Sequence, residues 1–366
     1  MSKVRHVLGI SGGKDSAALA IYMKTKYPNL TIEYYTCDTG KELEETYLLI
    51  ERLENFLGQE IKKLQAVENS HETPFDHYLK RYGGFLPSSN SRWCTKKLKL
   101  EPFENYVGED LVVSYVGIRG DEDREGYISK KTNIQSIFPF RKNIWSEDVI
   151  SKALANGQQE KLLDLYLSID LEAKSSRFEE ILATSIEPKF TQVHKLNALL
   201  DLHTRDFNRL VFAWLKTSYY PLAKEPTFPL VDNDEVLVQT DIFRILQQSG
   251  VGVPAYYNKK DFQVNEKSGQ YNRSRSGCYF CFFQQKIEWV WLYEQHPERF
   301  AQAMEYEKDG YTWNQEESLQ DLIQPQRMEQ IKEDFIKKTG NAAAHSPFLL
   351  DILDEEEGGG CAVCFI

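Results

Sequence analysis

The feature that most constrains this chain is the hexapeptide Ser11-Gly12-Gly13-Lys14-Asp15-Ser16, placed directly after the apolar run Val4–Ile10. The run reads as a buried strand, and a helical pattern follows from about Ser16 to Tyr27. A strand, a glycine turn and a helix in that order open an α/β unit. Two glycines let the backbone approach a phosphate closely, and successive N–H groups with the helix N-terminus supply positive potential. Ser11 and Ser16 can bind phosphate oxygens, Lys14 can neutralise their charge, and Asp15 can hold Mg²⁺. The spacing differs from a Walker A loop, which needs four residues between its first glycine and its Gly-Lys pair.

Strand and helix then alternate. Leu30–Asp38 reads as a second strand ending in Asp-Thr-Gly, Glu42–Leu57 as a helix, Glu60–Ala66 as a third strand and Leu111–Arg119 as a strong later strand. This order predicts a doubly wound parallel sheet with helices on both faces, whose ligands sit beyond the carboxyl ends of the strands. Three polar stretches fall at such ends: Ser11–Ser16, Asp38–Gly40 and Gly117–Arg124. The pattern from Ser146 to Leu222 is almost wholly helical, and further helices are expected over Gln239–Gln248 and Gln284–Tyr306. The expected organisation is a core over 1–145, a helical insertion over 146–226, a helical C-terminal part of the core over 227–350 and a flexible tail over 351–366. The insertion is either a docking face for other proteins of a complex or a structural elaboration.

The sequence has 366 residues and a net charge of −11, which argues against a protein that wraps nucleic acid by bulk charge. A local basic stretch nevertheless runs from Lys80 to Lys99, with Lys80, Arg81, Arg92, Lys96, Lys97 and Lys99 and no acidic residue. It is either a binding face or a solvated surface. No run approaches the roughly 18 apolar residues of a membrane span, and strand-like residues begin at once, so a cytoplasmic protein without membrane association is expected. Six cysteines include two Cys-x-x-Cys pairs, Cys278/Cys281 and Cys361/Cys364, which in such a setting suggest metal or redox chemistry. Cys37 reads as a core residue.

The hexapeptide resembles the PP-loop of the ATP pyrophosphatase superfamily, whose fold is an adenine nucleotide α-hydrolase-like α/β sheet. Further motifs resemble the phosphoadenosine-phosphosulfate (PAPS) reductase branch. They are Asp38-Thr39-Gly40 with Glu45-Thr46-Tyr47, Arg92-Trp93-Cys94-Thr95 with Lys97 and Lys99, Gly117-Ile118-Arg119 with Glu122 and Arg124, and Gly277-Cys278-Tyr279-Phe280-Cys281. The resemblance covers roughly 4–141 and 227–298. It implies ATP binding by Ser11, Gly12, Gly13, Lys14, Asp15, Ser16, Asp38, Gly117 and Arg119, with Lys14, Asp15 and Arg119 catalytic. An arginine at a strand end suits phosphate recognition, and a salt-bridge cluster with Asp121 and Glu122 is the plainer alternative. The resemblance also implies a metal site at Cys94, Cys278 and Cys281, holding a [4Fe–4S] cluster or, alternatively, zinc. A fourth ligand could come from Cys361 or Cys364, which could instead carry sulfur as a persulfide or form an inert tail.

Two function classes follow from the resemblance. In the first, an adenylating sulfurtransferase splits ATP into AMP and pyrophosphate and takes sulfur from a cysteine desulfurase. Its look is closest to the sulfur-activating component of DNA phosphorothioation systems used in phage defence, and transfer-RNA thiolation is the sibling possibility. In the second, a sulfonucleotide reductase binds its nucleotide with the same loop but consumes no ATP. The intact hexapeptide, and the lack of a Glu-Cys-Gly stretch followed by Leu-His, favour the first.

Overall fold

The computed structural model describes residues 3–67, 70–123, 129, 131–308 and 310–345. Arg124, Cys361 and Cys364 lie outside the described residues. Strands β1 (Arg5–Gly9), β2 (Glu33–Cys37), β3 (Lys62–Leu64), β4 (Val112–Tyr115) and β5 (Ile134–Ile137) form one parallel sheet in the order β3-β2-β1-β4-β5. Val7 pairs with Glu33 on one side and with Ser114 on the other, which makes β1 the central strand. The chain winds outward through β2 and β3 and then crosses back to β4, so the direction of winding reverses between β1 and β4. That reversal opens the crevice in which doubly wound sheets hold ligands.

The observed strands are shorter than the apolar runs that predict them. β5 was not expected at all, because Gln135 and Ser136 interrupt its apolar pattern. Both are buried, and Gln135 Oε1 accepts a hydrogen bond from the Leu222 amide at 3.1 Å. The distant turn thus satisfies the side-chain oxygen, while the buried Nε2 has no hydrogen-bond partner among the described residues.

Helix α1 (Lys14–Lys26) starts two residues before the expected position, inside the hexapeptide, and is buried continuously from Lys14 to Met23. A helix apolar around its whole girth needs cover on all sides. The sheet lies beneath it, and α2 (Glu44–Leu57) and α10 (Gln239–Gln248) flank it. Between these come α3 (Pro74–Arg81), α4 (Trp93–Thr95) running through a π-helical turn at Lys96–Leu100 into α5 (Glu101–Val107), and the expected helical stretch. That stretch comprises α6 (Glu147–Ala153), α7 (Gln159–Ser168), α8 (Ser176–Ala183) and α9 (Gln192–Leu215), the last kinked at His203. Its apolar faces join the sheet and α1 in one continuous hydrophobic cluster, in which Val149, Leu199 and Leu215 are buried with Leu8 and Ala18. The helical stretch therefore shares the main core.

A second cluster is formed by α3, the antiparallel hairpin β6 (Lys260–Val264) and β7 (Lys267–Tyr271), and helices α11 (Lys286–Gln295), α12 (Pro297–Glu305), α13 (Leu319–Leu322) and α14 (Pro325–His345). The expected single helix over 284–306 is broken at His296, which leaves helical geometry (φ −137°, ψ 63°) ahead of Pro297. A residue before proline is pushed out of the helical region, which accounts for the break.

Candidate active site

The hexapeptide forms the turn between β1 and α1. Gly12 adopts φ +73°, and a Cβ there would meet Thr46 Cγ2 at 2.2 Å, so the position admits glycine on two counts. The Ser16 hydroxyl receives a hydrogen bond from the Ser11 amide at 3.2 Å and lies 3.1 Å from the Ser11 hydroxyl. These bonds hold the turn as a cradle at the head of α1, where the positive end of the helix dipole favours an anion.

Charge in the cradle is tightly paired. Lys14, Asp15 and Arg119 are 3%, 5% and 1% exposed. Asp15 receives Lys14 Nζ on Oδ2 at 3.2 Å and Arg119 Nη1 on Oδ1 at 3.1 Å. Arg119 also meets Asp121 through Nε at 2.9 Å and Glu122 through Nη1 at 2.7 Å. Asp121 in turn accepts the Gln239 amide at the start of α10 at 3.1 Å. Both oxygens of Asp15 are thus held by cations, and a Mg²⁺ ion at Asp15 would share an oxygen with one of them. Arg119 is both an element of the strand-end motif and the centre of the carboxylate cluster. In this geometry it positions Asp15, and through it the loop. Gly117 permits the approach, since a Cβ there would lie 3.0 Å from the Asp15 carbonyl oxygen.

The loop after β2 lies beside this cradle. Asp38 Oδ1 accepts the Gly40 amide at 2.8 Å and the Tyr47 hydroxyl at 3.0 Å. A small recess opens here, lined by Ser11, Asp38, Glu42, Thr46, Tyr47 and Lys63 among others. Glu42 is a buried carboxyl that accepts Thr39 Oγ1 at 2.7 Å and the Tyr47 hydroxyl at 3.1 Å. Burial raises its pKa, the Thr39 hydrogen bond opposes that rise, and the Asp38 charge adds to it.

The cysteine segment is fastened to the same loop. Tyr279 N donates to the Lys41 carbonyl at 2.9 Å, and Cys278 Sγ lies 3.2 Å from Thr39 Oγ1. Burial pushes the Cys94 thiol up to about 11 and also raises Cys278 and Cys281, and Cys281 lies near enough to both others to raise them further. The Lys99 ammonium faces all three and Cys37 as well, opposing those rises. Cys94, Cys278 and Cys281 thus share one neighbourhood. Among the described residues, however, no three His, Cys, Asp or Glu side chains are grouped to hold a metal ion.

Several site residues escape any reading of motifs. Tyr256 donates its hydroxyl to the Gly12 carbonyl at 3.0 Å. The Tyr257 hydroxyl accepts the Lys14 amide at 3.3 Å, and its ring lies 5.2 Å from Lys14 Nζ. Ser276 reaches the Ser11 carbonyl at 3.5 Å. The pair Tyr256-Tyr257 carries no recognisable spacing, so its role becomes visible through the contacts alone. Ser276 stands next to the Cys-x-x-Cys motif, and that adjacency was its one sequence signal.

Residues 5–146 match the model of the phosphoadenosine phosphosulfate reductase domain. An uncharacterized protein of Methanocaldococcus jannaschii is 34% identical over 172 residues, covering 43% of this chain and 34% of the relative. A second uncharacterized protein of the same organism is 26% identical over 163 residues, covering 41% of this chain and 37% of the relative. The chain spans about a third of the length of these curated relatives. No solved structure matches the chain significantly. Among the described residues no helix is long and apolar enough to cross a membrane. With its five-stranded sheet and glycine cradle, the segment 5–146 is similar to the PAPS reductase domain whose model it matches.

Proposed function

We propose that the chain cleaves ATP between its α- and β-phosphates to adenylate an oxygen of a nucleic-acid group, which sulfur then replaces. The carrying observation is the intact Ser11–Ser16 cradle at the reversal point of the sheet, with Lys14 and its paired Asp15 at the head of α1. A substrate oxygen attacks the α-phosphorus, the bond to the β-phosphate breaks, and pyrophosphate leaves. Lys14 and the turn amides stabilise charge that grows on the phosphates as that bond breaks. A persulfide from a cysteine desulfurase then attacks the activated centre and expels AMP. A second thiol cleaves the S–S bond, leaving one sulfur on the product and a disulfide behind.

The DNA backbone phosphate is the preferred target, and a transfer-RNA base carbonyl is the sibling. Magnesium would balance the charge of ATP beside the carboxylates around Arg119. Product chromatography with anaerobically purified protein, ATP, DNA or transfer RNA, and a cysteine desulfurase with cysteine as the persulfide source tests the reading. AMP and pyrophosphate are expected, and ADP with orthophosphate would exclude it. The family match over 5–146 favours one second reading, reduction of a sulfonucleotide. Release of sulfite from a sulfonucleotide without ATP consumption would establish that one instead.

A further inference from the structure

Outside the cradle, one surface combines exposed rings with exposed cations. Tyr82, Phe85 and Tyr311 are 40%, 41% and 46% exposed. Phe85 meets Tyr311 edge-on at 5.3 Å between ring centres, and Tyr82 stacks on Trp93 at 5.2 Å and 26°. Trp93 Nε1 donates to the Phe85 carbonyl at 3.0 Å, which joins the two pairs. Lys308 Nζ lies over Gly84, where a Cβ would come within 2.6 Å of it. The Arg92 guanidinium covers the Phe283 ring at 5.0 Å, two residues beyond Cys281, while Cys94 directly follows Trp93. The rings and cations therefore form a strip running from Tyr311 to the thiols.

The balance of charge within the strip is positive. Lys80 and Lys97 are neutralised by Glu72 and Glu101. Arg81, Arg92, Lys96 and Lys308 are exposed, and among the described residues Arg81 and Lys96 form no salt bridge. In a chain of net charge −11, this is a local departure that calls for an anionic partner. Charge alone would suit a duplex or an acidic protein. Partly exposed rings beside cations suit unpaired bases, whose π-faces stack on aromatic side chains while the phosphates meet the cations.

We infer that this strip docks single-stranded nucleic acid and leads it toward the thiols. The inference rests on the reading that the activated group belongs to a nucleic acid. The test is fluorescence anisotropy of the full chain with labelled oligodeoxythymidine of about 20 nucleotides, its duplex with oligodeoxyadenosine, and a poly-glutamate peptide. Single strand should bind at least about tenfold more tightly than duplex or peptide. Phe85→Ala and Tyr311→Ala should each weaken single-strand binding about tenfold, while Tyr311→Phe, which keeps the ring, retains it. Arg81→Ala with Lys96→Ala should flatten the salt dependence. Equal affinity for duplex, indifference to the two alanine changes, or loss in Tyr311→Phe would overturn the inference. A preference for poly-glutamate would assign the strip to a protein instead. Pyrophosphate release from ATP with the oligonucleotide present is followed in parallel. Binding without pyrophosphate release would defeat the adenylation reading and leave the strip standing, and pyrophosphate release without binding would defeat the strip alone.

Discussion

The two largest hydrophobic clusters among the described residues are built on different plans. In the cluster around the sheet and α1, about a fifth of the buried side chains are aromatic, and the rest are mostly Leu, Ile, Val and Ala. In the cluster around α3 and α11–α14, half are aromatic, with Trp93, Trp289 and Trp313 grouped about Phe75 and Phe280. Small aliphatic residues let α1 settle closely on the sheet and fix the cradle. Aromatic residues reach across irregular segments and bring polar tips with them. Tyr256 and Tyr257 do this, belonging to the second cluster while touching the cradle held by the first. The candidate site is thus a contact between a regular layer that shapes the loop and an aromatic layer that braces it.

Changes on the two sides of this contact separate their contributions. The largest effect is expected on the sheet side. Lys14→Ala should lower ATP cleavage by about 10²–10³-fold with the fold retained by circular dichroism. A loss below tenfold would remove the cradle from the chemistry.

Next comes acid stability, which should reside in the sheet. His6 is buried against the Tyr115 hydroxyl at 2.8 Å, and burial lowers its pKa from 6.5 to about 4, with Lys3 adding to the shift. The unfolded chain takes up this proton first, so stability falls as pH drops from 6.5 to 4. The total loss from this group is about 3 kcal/mol. Urea midpoints across that window should fall in the parent chain and flatten in His6→Gln, and an unchanged slope in the variant would assign the acid sensitivity elsewhere.

A smaller effect is expected where α2 meets the cradle. Gly12→Ala should cost about 1–3 kcal/mol through its positive φ and the contact with Thr46. Thr46→Ala should recover part of that loss, since the two sites touch. Full additivity in denaturation would show that strain from φ alone is responsible.

The smallest effect tests the aromatic side. Tyr256→Phe removes the hydrogen bond to Gly12 and should cost about 1 kcal/mol. It should raise KM for ATP severalfold while leaving kcat nearly unchanged. An unaltered KM would mean that the aromatic layer stabilises the protein without shaping the nucleotide site.

The cradle and the strand-end motifs were legible because each is contiguous. Ser11–Ser16 carries its own turn geometry, and the apolar runs beside it name a strand and a helix whatever else the chain does. The same local logic located β1, β2 and α2 closely and failed at β5, whose buried Gln135 is explained by Leu222 far along the chain. Arg119 was legible as a strand-end arginine, yet its three carboxylate partners were a matter of packing. Tyr256 and Tyr257 meet the cradle across separations of 244 and 243 residues, and no spacing rule spans such distances. Backbone preferences act over a few residues, so the chain by itself determined the glycine turn and the sheet that presents it. Burial of aromatic surface between distant segments acts through space, and tertiary packing alone decided which side chains brace that loop and which thiols face Lys99.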